Sequence, residues 1–309
     1  MQKIVVISGA TACGKTDISI ELAAQLNGEI ISADSMQIYK YMDIGTAKPT
    51  KEEMKGIPHY LIDELFPDDN YSVALFCRLA HDKIKEISSR GKIPFVVGGT
   101  GFYINALLKG TEFSDNEDIS VRRQFEEFAA THGVNKLYEK LVLSDPEYAK
   151  IVHPNNIKRV VRALEYIHKT GEKFSVYNER EKSRSSAYDA RCFVFFSERK
   201  SLYQRINIRV DKMFEKCFAE EVDCLLKMGY NMSLNSMRGL GYKEVVPYVR
   251  GEITLTESAE LLKKNTRHFA KRQLTWFLGS YAVPGQTCVD VGIRSKSNIL
   301  TELGKEISK

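Results

Sequence analysis

The sequence predicts an α/β fold in which a parallel sheet core, with helices on both faces, is interrupted by an inserted all-helical domain. The first observation is an apolar run at residues 4–7, followed by Gly9-Ala10-Thr11-Ala12-Cys13-Gly14-Lys15-Thr16 and then a helical pattern. A strand, a glycine-bounded loop and a helix in this order are typical of a phosphate-binding P-loop. The second observation is that helical periodicity without strand patterns fills residues 113–190. The core is therefore expected to be P-loop NTPase-like.

The chemistry of this loop points to a phosphate or diphosphate ligand. Its glycines let several backbone N–H groups point inward, where the start of the next helix adds partial positive charge. Lys15 supplies a point charge to phosphate oxygens, and the hydroxyl of Thr16 can hold Mg²⁺. Because a helix start also lowers the pKa of a thiol, Cys13 is expected to be thiol-sensitive. The loop alone does not identify the group that carries the phosphate.

Composition limits the class of protein. The 309 residues allow one large or two modest domains, and a hydrophobic fraction of 43% is ordinary for a globular protein. A net charge of +5 permits a nucleic-acid partner without requiring one. The six cysteines include no Cys-x-x-Cys pair, so neither a zinc site nor a disulfide framework is indicated. No signal peptide or membrane-spanning run is recognisable, so we expect a cytoplasmic protein without membrane contact, and a monomer by default.

Two further strand ends are expected to face the P-loop. A strand at 29–33 ends in Asp34, and a strand at 94–97 leads into Gly98-Gly99-Thr100-Gly101. In an open parallel sheet, ligands bind at the carboxyl ends of strands, so these segments should share one crevice. Glycine allows close approach of a ligand, and Thr100 offers a hydroxyl. Taken separately, Asp34 also fits a turn or N-cap aspartate, and the glycine run also fits an ordinary turn.

Periodicity, glycines and polar runs predict the remaining elements. In the core, residues 1–112 and 191–309, we expect strands at 58–63 and 192–196, a loop at 238–244, and helices at 73–89, 202–228 and 256–278. In the inserted domain, residues 113–190, we expect helices at 118–130, 135–142 and 156–169 and a polar linker at 178–189.

The helix at 156–169 carries a basic cluster. Lys158, Arg159 and Arg162 lie opposite an apolar face that includes Val160 and Val161. Taken alone, this helix is better explained as a solvated surface, although the cluster also suits a phosphate backbone.

Two core helices also carry basic residues with two interpretations each. Arg205 and Arg209 lie at i, i+4, where they can clamp a diphosphate or pair with carboxylates. The helix at 256–278 has a basic stripe that suits either a phosphate backbone or solvent.

Specific motifs continue along the whole chain. They are Gly9 to Thr16, Ser32-Ala33-Asp34-Ser35-Met36-Gln37-Ile38-Tyr39, Met42 to Pro49, Val97 to Tyr103, His153 to Asn156 with Arg159 and Arg162 to Glu165, Gly241 to Glu244, and Lys271 to Phe277. This set closely resembles the bacterial type of the tRNA dimethylallyltransferases, also called tRNA isopentenyltransferases. The departures are Ala10, where the family usually has proline, and Cys13, where serine is common.

The resemblance implies transfer of the dimethylallyl group from dimethylallyl diphosphate to the exocyclic amine of the adenine immediately 3′ of the anticodon in tRNA. The P-loop would bind the diphosphate leaving group, so no nucleoside triphosphate need be hydrolysed. Lys15, Mg²⁺ held by Thr16, and Arg209 would stabilise its charge, with Arg205 as second choice for that clamp. Thr100 would donate to the bridging oxygen, and Asp34 would act as the general base.

The resemblance also implies the contacts with tRNA. The flipped adenine would be lined by residues at the strand ends, which are Asp34, Ser35, Met36, Gln37 and Thr100. The anticodon stem-loop would be bound by Arg122, by the basic helix at 256–278, and by the segment Lys158-Arg159-Val160-Val161-Arg162.

Other classes of protein share parts of this pattern. A small-molecule kinase, or an isopentenyltransferase of free adenine nucleotides, would share the P-loop but has little use for the basic helices. An NTP-dependent RNA-binding protein would need a catalytic-water or arginine-finger arrangement, and the sequence shows no clear one. A purely structural protein would not need two glycine loops and an aspartate at one crevice. Salt-dependent binding of tRNA separates the first class from the expected transferase.

Overall fold

The computed structural model describes residues 1–111, 119–279 and 281–309, and the chain divides into two compact units. The core unit comprises Met1–Gly110 and Ser186–Lys309, and the helical unit comprises Thr111–Ser185. The boundary predicted at 113 and the helix start predicted at 118 lie outside the described residues. The second boundary, predicted at 190, compares with an end of the helical unit at Ser185.

The core unit is built on a parallel sheet with the strand order β3-β2-β4-β1-β5-β6. The strands are β1 (Lys3–Gly9), β2 (Gly28–Ser32), β3 (His59–Tyr60), β4 (Ile93–Gly98), β5 (Asp189–Phe196) and β6 (Thr287–Asp290). Neighbours in this order run parallel throughout. The predicted parallel α/β core is confirmed, and the segments that follow β1 and β4 leave the sheet side by side.

Helices connect the strands and build the helical unit. In chain order they are α1 (Lys15–Gln25), α2 (Lys51–Met54), α3 (Val73–Ser89), α4 (Gly101–Lys109), α5 (Ile119–His132), α6 (Val134–Ser144), α7 (Pro146–Ala149), α8 (Ile157–Thr170), α9 (Phe174–Ser183), α10 (Arg199–Glu215), α11 (Phe218–Lys227), α12 (Tyr242–Val249), α13 (Leu255–Leu278) and α14 (Lys296–Ile307). Helices α5 to α9 belong to the helical unit. Within the three described ranges, no helix has the length and apolar character needed to cross a membrane.

Both faces of the sheet are covered by helices, as predicted. Successive side chains of a strand point to opposite faces. Along β1, Ile4 and Val6 join a core with residues of α3, α4, α11 and α12, whereas Val5 and Ile7 join a core with residues of α1 and α14. Because both faces are buried, β1 is a continuous apolar run rather than an alternating one.

The polar linker predicted at 178–189 is wrong in its first half, where the chain continues helix α9. The aromatic rings of Phe174 and Tyr177 pack on Tyr166 of α8, with centroid distances of 5.3 and 4.7 Å. The charged residues that follow are mostly good helix formers, so the helix continues once these rings anchor its start. Polarity alone did not distinguish an exposed helix from a linker.

The single helix predicted at 202–228 is also wrong, because the chain forms α10 and α11 with a break at Cys217. Cys217 has a φ of 65°, and its N–H donates to the carbonyl of Phe214 at 3.1 Å. This left-handed residue ends α10 in the usual way and redirects the chain. The break brings the ring of Phe218 against Tyr242, with centroids 5.3 Å apart.

Six elements were not predicted at all, namely α2, α4, α7, α12, β6 and α14. Of these, α4 and α12 begin at Gly101 and Tyr242, inside or next to segments that their glycines marked as loops. A glycine at the first turn of a helix gives the same local signal as a glycine in a turn.

Candidate active site

Three strand ends meet at the carboxyl edge of the core sheet. β4 lies between β2 and β1, so the segment with Thr100 lies between Asp34 and the P-loop. The N–H of Ala33 donates to the carbonyl of Val97 at 2.8 Å, and the N–H of Thr100 donates to the carbonyl of Ala33 at 3.2 Å. The structure therefore brings together the three segments that the sequence assigned to one crevice.

The P-loop, Gly9 to Thr16, is tightly fixed at its start. Gly9 has a φ of 137°, and a β-carbon there would lie 2.1 Å from the carbonyl oxygen of Phe195. Only glycine fits this close approach of β1 and β5. The Nζ of Lys15 folds back over the loop and donates to the carbonyls of Gly9 at 3.0 Å and Ala10 at 2.7 Å. The ammonium group is therefore held at the mouth of the loop, where a phosphate would bind.

Burial dominates the electrostatics of the loop. It lowers the pKa of Lys15 to about 8, and the charge of Arg209 acts in the same direction while Cys13 and Asp34 oppose it. Burial raises the pKa of the Cys13 thiol, although Lys15 and both nearby arginines favour the thiolate. The expected lowering of the Cys13 pKa is wrong, because its side chain is only 1% exposed and burial disfavours its thiolate.

The two arginines of α10 have different partners. The Nη1 of Arg209 donates to the hydroxyl of Thr11 at 3.1 Å, so its guanidinium lies against the P-loop. Arg205 donates to the hydroxyl of Ser197, just after β5, and within the described residues its buried Nε has no partner. Burial lowers the pKa of Arg209. A bound anion at the loop would compensate this buried positive charge.

Asp34 combines the two interpretations that the sequence left open. Its Oδ1 accepts from the N–H of Met36 at 2.8 Å and of Gln37 at 3.4 Å, as a turn aspartate does. Over the described part of the chain, its Oδ2 accepts no hydrogen bond. Burial raises the pKa of Asp34, against the effects of these two N–H groups and of the Lys15 and Arg209 charges. One oxygen is thus fixed, and the other can take a proton from a ligand.

Thr100 connects the second glycine loop to the Asp34 segment. Its Oγ1 accepts from the N–H of Ser35 at 3.2 Å. The residue occupies the N-cap position of α4, yet its side chain makes no capping hydrogen bond there. Because a hydroxyl has one proton and two lone pairs, that proton can be donated to a ligand.

The side chain of Gln37 has a structural role that the sequence did not predict. Its Oε1 accepts from the hydroxyl of Ser32 at 3.0 Å, and its Nε2 donates to the carbonyls of Thr46 at 3.3 Å and Ala47 at 3.4 Å. The amide is thus occupied at both ends by the protein. Reading the adenine edge with this group, as the resemblance implied, would require these bonds to be exchanged.

The loop that contacts Gln37 is held by Glu221, a residue that the sequence analysis missed. Its carboxylate accepts from the N–H groups of Asp43 at 2.9 Å, Ile44 at 2.7 Å and Gly45 at 3.2 Å, and from the hydroxyl of Tyr242 at 2.7 Å. Glu221 lies on α11, far along the chain from this loop, so no local pattern connects the two. Charge-assisted bonds of this kind fix a backbone strongly.

The basic cluster of the helical unit is only partly exposed. Lys158 and Arg159 of α8 are exposed, and Arg162 is 48% exposed. The side chains of Val160 and Val161, included among the expected tRNA contacts, are instead buried at 0% and 2% exposure in the core of this unit. Their position is corrected accordingly: they anchor the helix, and their side chains do not reach solvent.

Arg122 is engaged within the same unit. Its Nη2 and Nε donate to the buried carboxylate of Glu165 at 3.0 and 3.2 Å. Arg162 lies 3.7 Å from the same carboxylate, and Lys169 lies 2.9 Å from it. A buried carboxylate requires such partners, so Arg122 stabilises the fold of the helical unit. A contact of Arg122 with tRNA stays a prediction.

The residues present provide a single side-chain ligand for Mg²⁺, and they do not form a metal site made by the protein alone. Among the described residues, no group of three His, Cys, Asp or Glu side chains could hold a metal ion. Thr16 is exposed at the start of α1, directly after Lys15. Mg²⁺ bound with a phosphate ligand typically keeps several waters and takes few protein oxygens, so a single hydroxyl suffices.

Known proteins resemble this chain over most or all of its length. The family described as IPP transferase matches residues 37–280. A tRNA dimethylallyltransferase from Lachnoclostridium phytofermentans is 49% identical over 310 residues, covering 100% of this chain and 98% of the relative. The chain belongs to the tRNA dimethylallyltransferase family. The resemblance read from the motifs is confirmed, and members of this family typically need a divalent metal.

Solved structures agree with this membership. The full-length tRNA isopentenylpyrophosphate transferase from Bacillus halodurans is 42% identical, with a TM-score of 0.75, over 100% of this chain and 96% of that one. A eukaryotic dimethylallyltransferase acting on tRNA is 30% identical, with a TM-score of 0.88, over 100% of this chain and 80% of that one. These two family members thus share this fold along the whole chain.

The lowered pKa of Lys15 predicts how binding of an alkyl diphosphate depends on pH. The bound trianion should raise this pKa, so binding takes up a proton above pH about 8. Affinity should be nearly constant from pH 7 to 8 and then fall by up to about tenfold per pH unit. Calorimetric titration with an alkyl diphosphate, whose own charge is constant above its last pKa of about 6, measures this. In Lys15→Met we expect weaker binding without the inflection; an unchanged wild-type affinity up to pH 10 would contradict this assignment.

Proposed function

We propose that this protein transfers the dimethylallyl group from dimethylallyl diphosphate to the exocyclic amine of the adenine immediately 3′ of the anticodon in tRNA, releasing diphosphate. One observation carries the proposal beyond family membership. A phosphate loop with two half-buried cations and a carboxylate with one free oxygen lie at the ends of β1 and β2, with only β4 between them. This arrangement supports a leaving-group site close to a base, which is what transfer to a weakly nucleophilic amine requires.

The leaving-group half consists of the P-loop, Lys15 and Arg209. Backbone N–H groups of the loop and the start of α1 bind the diphosphate, and Lys15 exchanges its carbonyl partners for phosphate oxygens. Arg209, held at Thr11, stabilises the negative charge that builds as the bond to the prenyl carbon breaks. Mg²⁺, held by Thr16, supplies further charge neutralisation when bound. Arg205, which donates to the hydroxyl of Ser197, supports this clamp indirectly.

The acceptor half consists of Asp34, the turn of Ser35 to Gln37 that follows it, and Thr100. The free Oδ2 of Asp34 accepts a proton from the adenine amine as that amine attacks the prenyl carbon. Thr100 donates its hydroxyl proton to the bridging oxygen of the leaving group while accepting from Ser35. Ser35 and Met36 line the adenine, and Gln37 holds the turn that carries them. The adenine must leave its stack to reach this site.

The helical unit contributes cations for the phosphate backbone of tRNA. Lys158 and Arg159 are exposed on α8, and Arg162 keeps about half of its surface in water. Phosphate contacts by such residues give affinity without reading sequence. Arg122 adds charge to this surface while it neutralises Glu165.

Helix α13 of the core unit offers a second contact surface. Lys263 and Arg267, in its first half, are engaged with Asp211 and Asn207. Its second half borders a cavity of about 510 Å³ lined by His268, Lys271, Arg272, Thr275, Trp276 and Tyr281. The rings of Trp276 and Tyr281 stack with centroids 4.1 Å apart. Aromatic faces next to cations suit single-stranded nucleotides, as in an anticodon loop.

We expect the protein to act on tRNA as a cytoplasmic monomer.

Replacing Asp34 by asparagine tests the general base. Asn keeps an oxygen for the N–H of Met36 but cannot accept the amine proton, so transfer of label from dimethylallyl diphosphate to tRNA should fall about 100- to 10,000-fold. Affinity for tRNA should stay close to the wild-type value. A matched control is Asp290→Asn, because Asp290 also ends a parallel strand and its Oδ1 also accepts from the N–H two residues on, at 2.8 Å. Wild-type turnover in Asp34→Asn would refute the assignment.

The salt dependence of tRNA binding tests the helical unit. Lys158→Ala combined with Arg159→Ala should weaken binding and lower the slope of log affinity against log salt by about one unit per lost phosphate contact. Diphosphate binding should not change. Lys150→Ala is the control, because this exposed lysine of the same unit already pairs with Glu147 at 2.7 Å. An unchanged slope in the double variant would mean that these residues only form a solvated surface and do not contact tRNA.

A further inference from the structure

The side-chain amide of Gln273 bridges the two glycine loops of the active site. Gln273 lies on α13, and its Oε1 accepts from the N–H of Thr11 in the P-loop at 2.8 Å. Its Nε2 donates to the carbonyl of Gly99 in the second loop at 2.9 Å. A carboxamide is suited to this task because it carries an acceptor and a donor on one rigid plane. Both hydrogen bonds join segments far apart in the sequence.

The surroundings are shaped around this bridge. Gln273 is only 6% exposed, so its two hydrogen bonds are shielded from competing water. A β-carbon at Gly99 would lie 2.3 Å from its Nε2, so any larger residue there would have to displace the amide. The bridge therefore depends on a glycine at this position of the second loop.

Each end of the bridge adjoins a residue of the proposed reaction. Thr11 receives the guanidinium of Arg209 on its hydroxyl while its N–H is held by Gln273. Gly99 directly precedes Thr100, whose hydroxyl accepts from Ser35 beside Asp34. The bridge thus links the diphosphate half of the site to the acceptor half.

We infer that Gln273 is a positioning residue that fixes the diphosphate loop at a set distance from Thr100 and Asp34, and so aligns the leaving group with the amine. The inference rests on the proposed prenyl transfer. Gln273 need not touch either substrate. Its loss leaves both half-sites intact but lets them shift, and displacements of about 1 Å are costly to reactions that depend on alignment.

Replacing Gln273 by methionine tests the bridge, since methionine is similar in size and forms neither hydrogen bond. We expect kcat for transfer to tRNA to fall about 10- to 100-fold, with an unchanged dissociation constant for tRNA. The matched control is Gln286→Met. The amide of Gln286 also accepts from one N–H, that of Val283 at 3.0 Å, and donates to one carbonyl, that of Phe277 at 2.7 Å, outside the two loops. Thermal melts of both variants separate lost stability from lost alignment.

A second variant, Gln273→Glu, gives a signature that a purely structural role would not produce. The protonated carboxyl group reproduces both hydrogen bonds, whereas the carboxylate has no proton for the carbonyl of Gly99 and faces it with a charged oxygen. We therefore expect the ratio of variant to wild-type kcat to rise as the pH is lowered. This measurement also serves if the methionine variant fails to fold.

The outcomes separate this inference from the function on which it rests. If the wild type transfers label to tRNA and Gln273→Met matches Gln286→Met in kcat, the positioning role is refuted. A low Gln273→Glu ratio that stays flat with pH refutes it as well. If the wild type transfers no label to tRNA, the proposed function itself fails.

Discussion

At Gly9 a β-carbon would lie 2.1 Å from the carbonyl oxygen of Phe195, and at Gly98 one would lie 2.2 Å from that of Ala33. This crowding of backbone at the carboxyl edge of the sheet is the constraint on which the site depends. Because no side chain separates the strands there, the start of the P-loop packs backbone to backbone on β5, and the end of β4 packs backbone to backbone on the residue before Asp34. Hydrogen bonds from Ala33 and Thr100 then fix the middle strand between them. The geometry is thus set by residues that perform no chemistry.

The charges in this edge are arranged for an anion that the chain itself does not provide. Burial lowers the pKa of Lys15 and of Arg209 and raises that of Asp34, so each charged form is held at a cost. A bound diphosphate would reduce the cost of burying the two positive charges, and a proton from the amine would neutralise the buried carboxylate. The same burial that destabilises the free site therefore favours its ligands, and it makes the carboxylate a stronger base.

Local patterns predicted the parts of the site that lie within one strand-to-loop segment. The P-loop, Asp34 and Thr100 each follow a buried strand directly, so their position at the carboxyl edge could be read from the sequence. Glu221 and Gln273 could not, because each acts on a loop that is distant in the chain and only the fold brings them together. The break at Cys217 was missed for a related reason: the apolar pattern continues across it, and only the packing of Phe218 reveals it. The whole segment from Lys158 to Arg162 was expected to contact tRNA. One side of this helix faces the core, however, so Val160 and Val161 are buried and cannot do so.

The central claim, that one crevice joins a diphosphate leaving group to an adenine of tRNA, is tested most directly by following labelled dimethylallyl diphosphate. The protein is incubated with Mg²⁺ and one of three acceptors: unmodified tRNA, the same tRNA with guanine 3′ of the anticodon, or AMP. We expect label on the first acceptor alone, mapped to the adenine beside the anticodon. Label on AMP but not on tRNA, or hydrolysis of ATP without label on any acceptor, would contradict it.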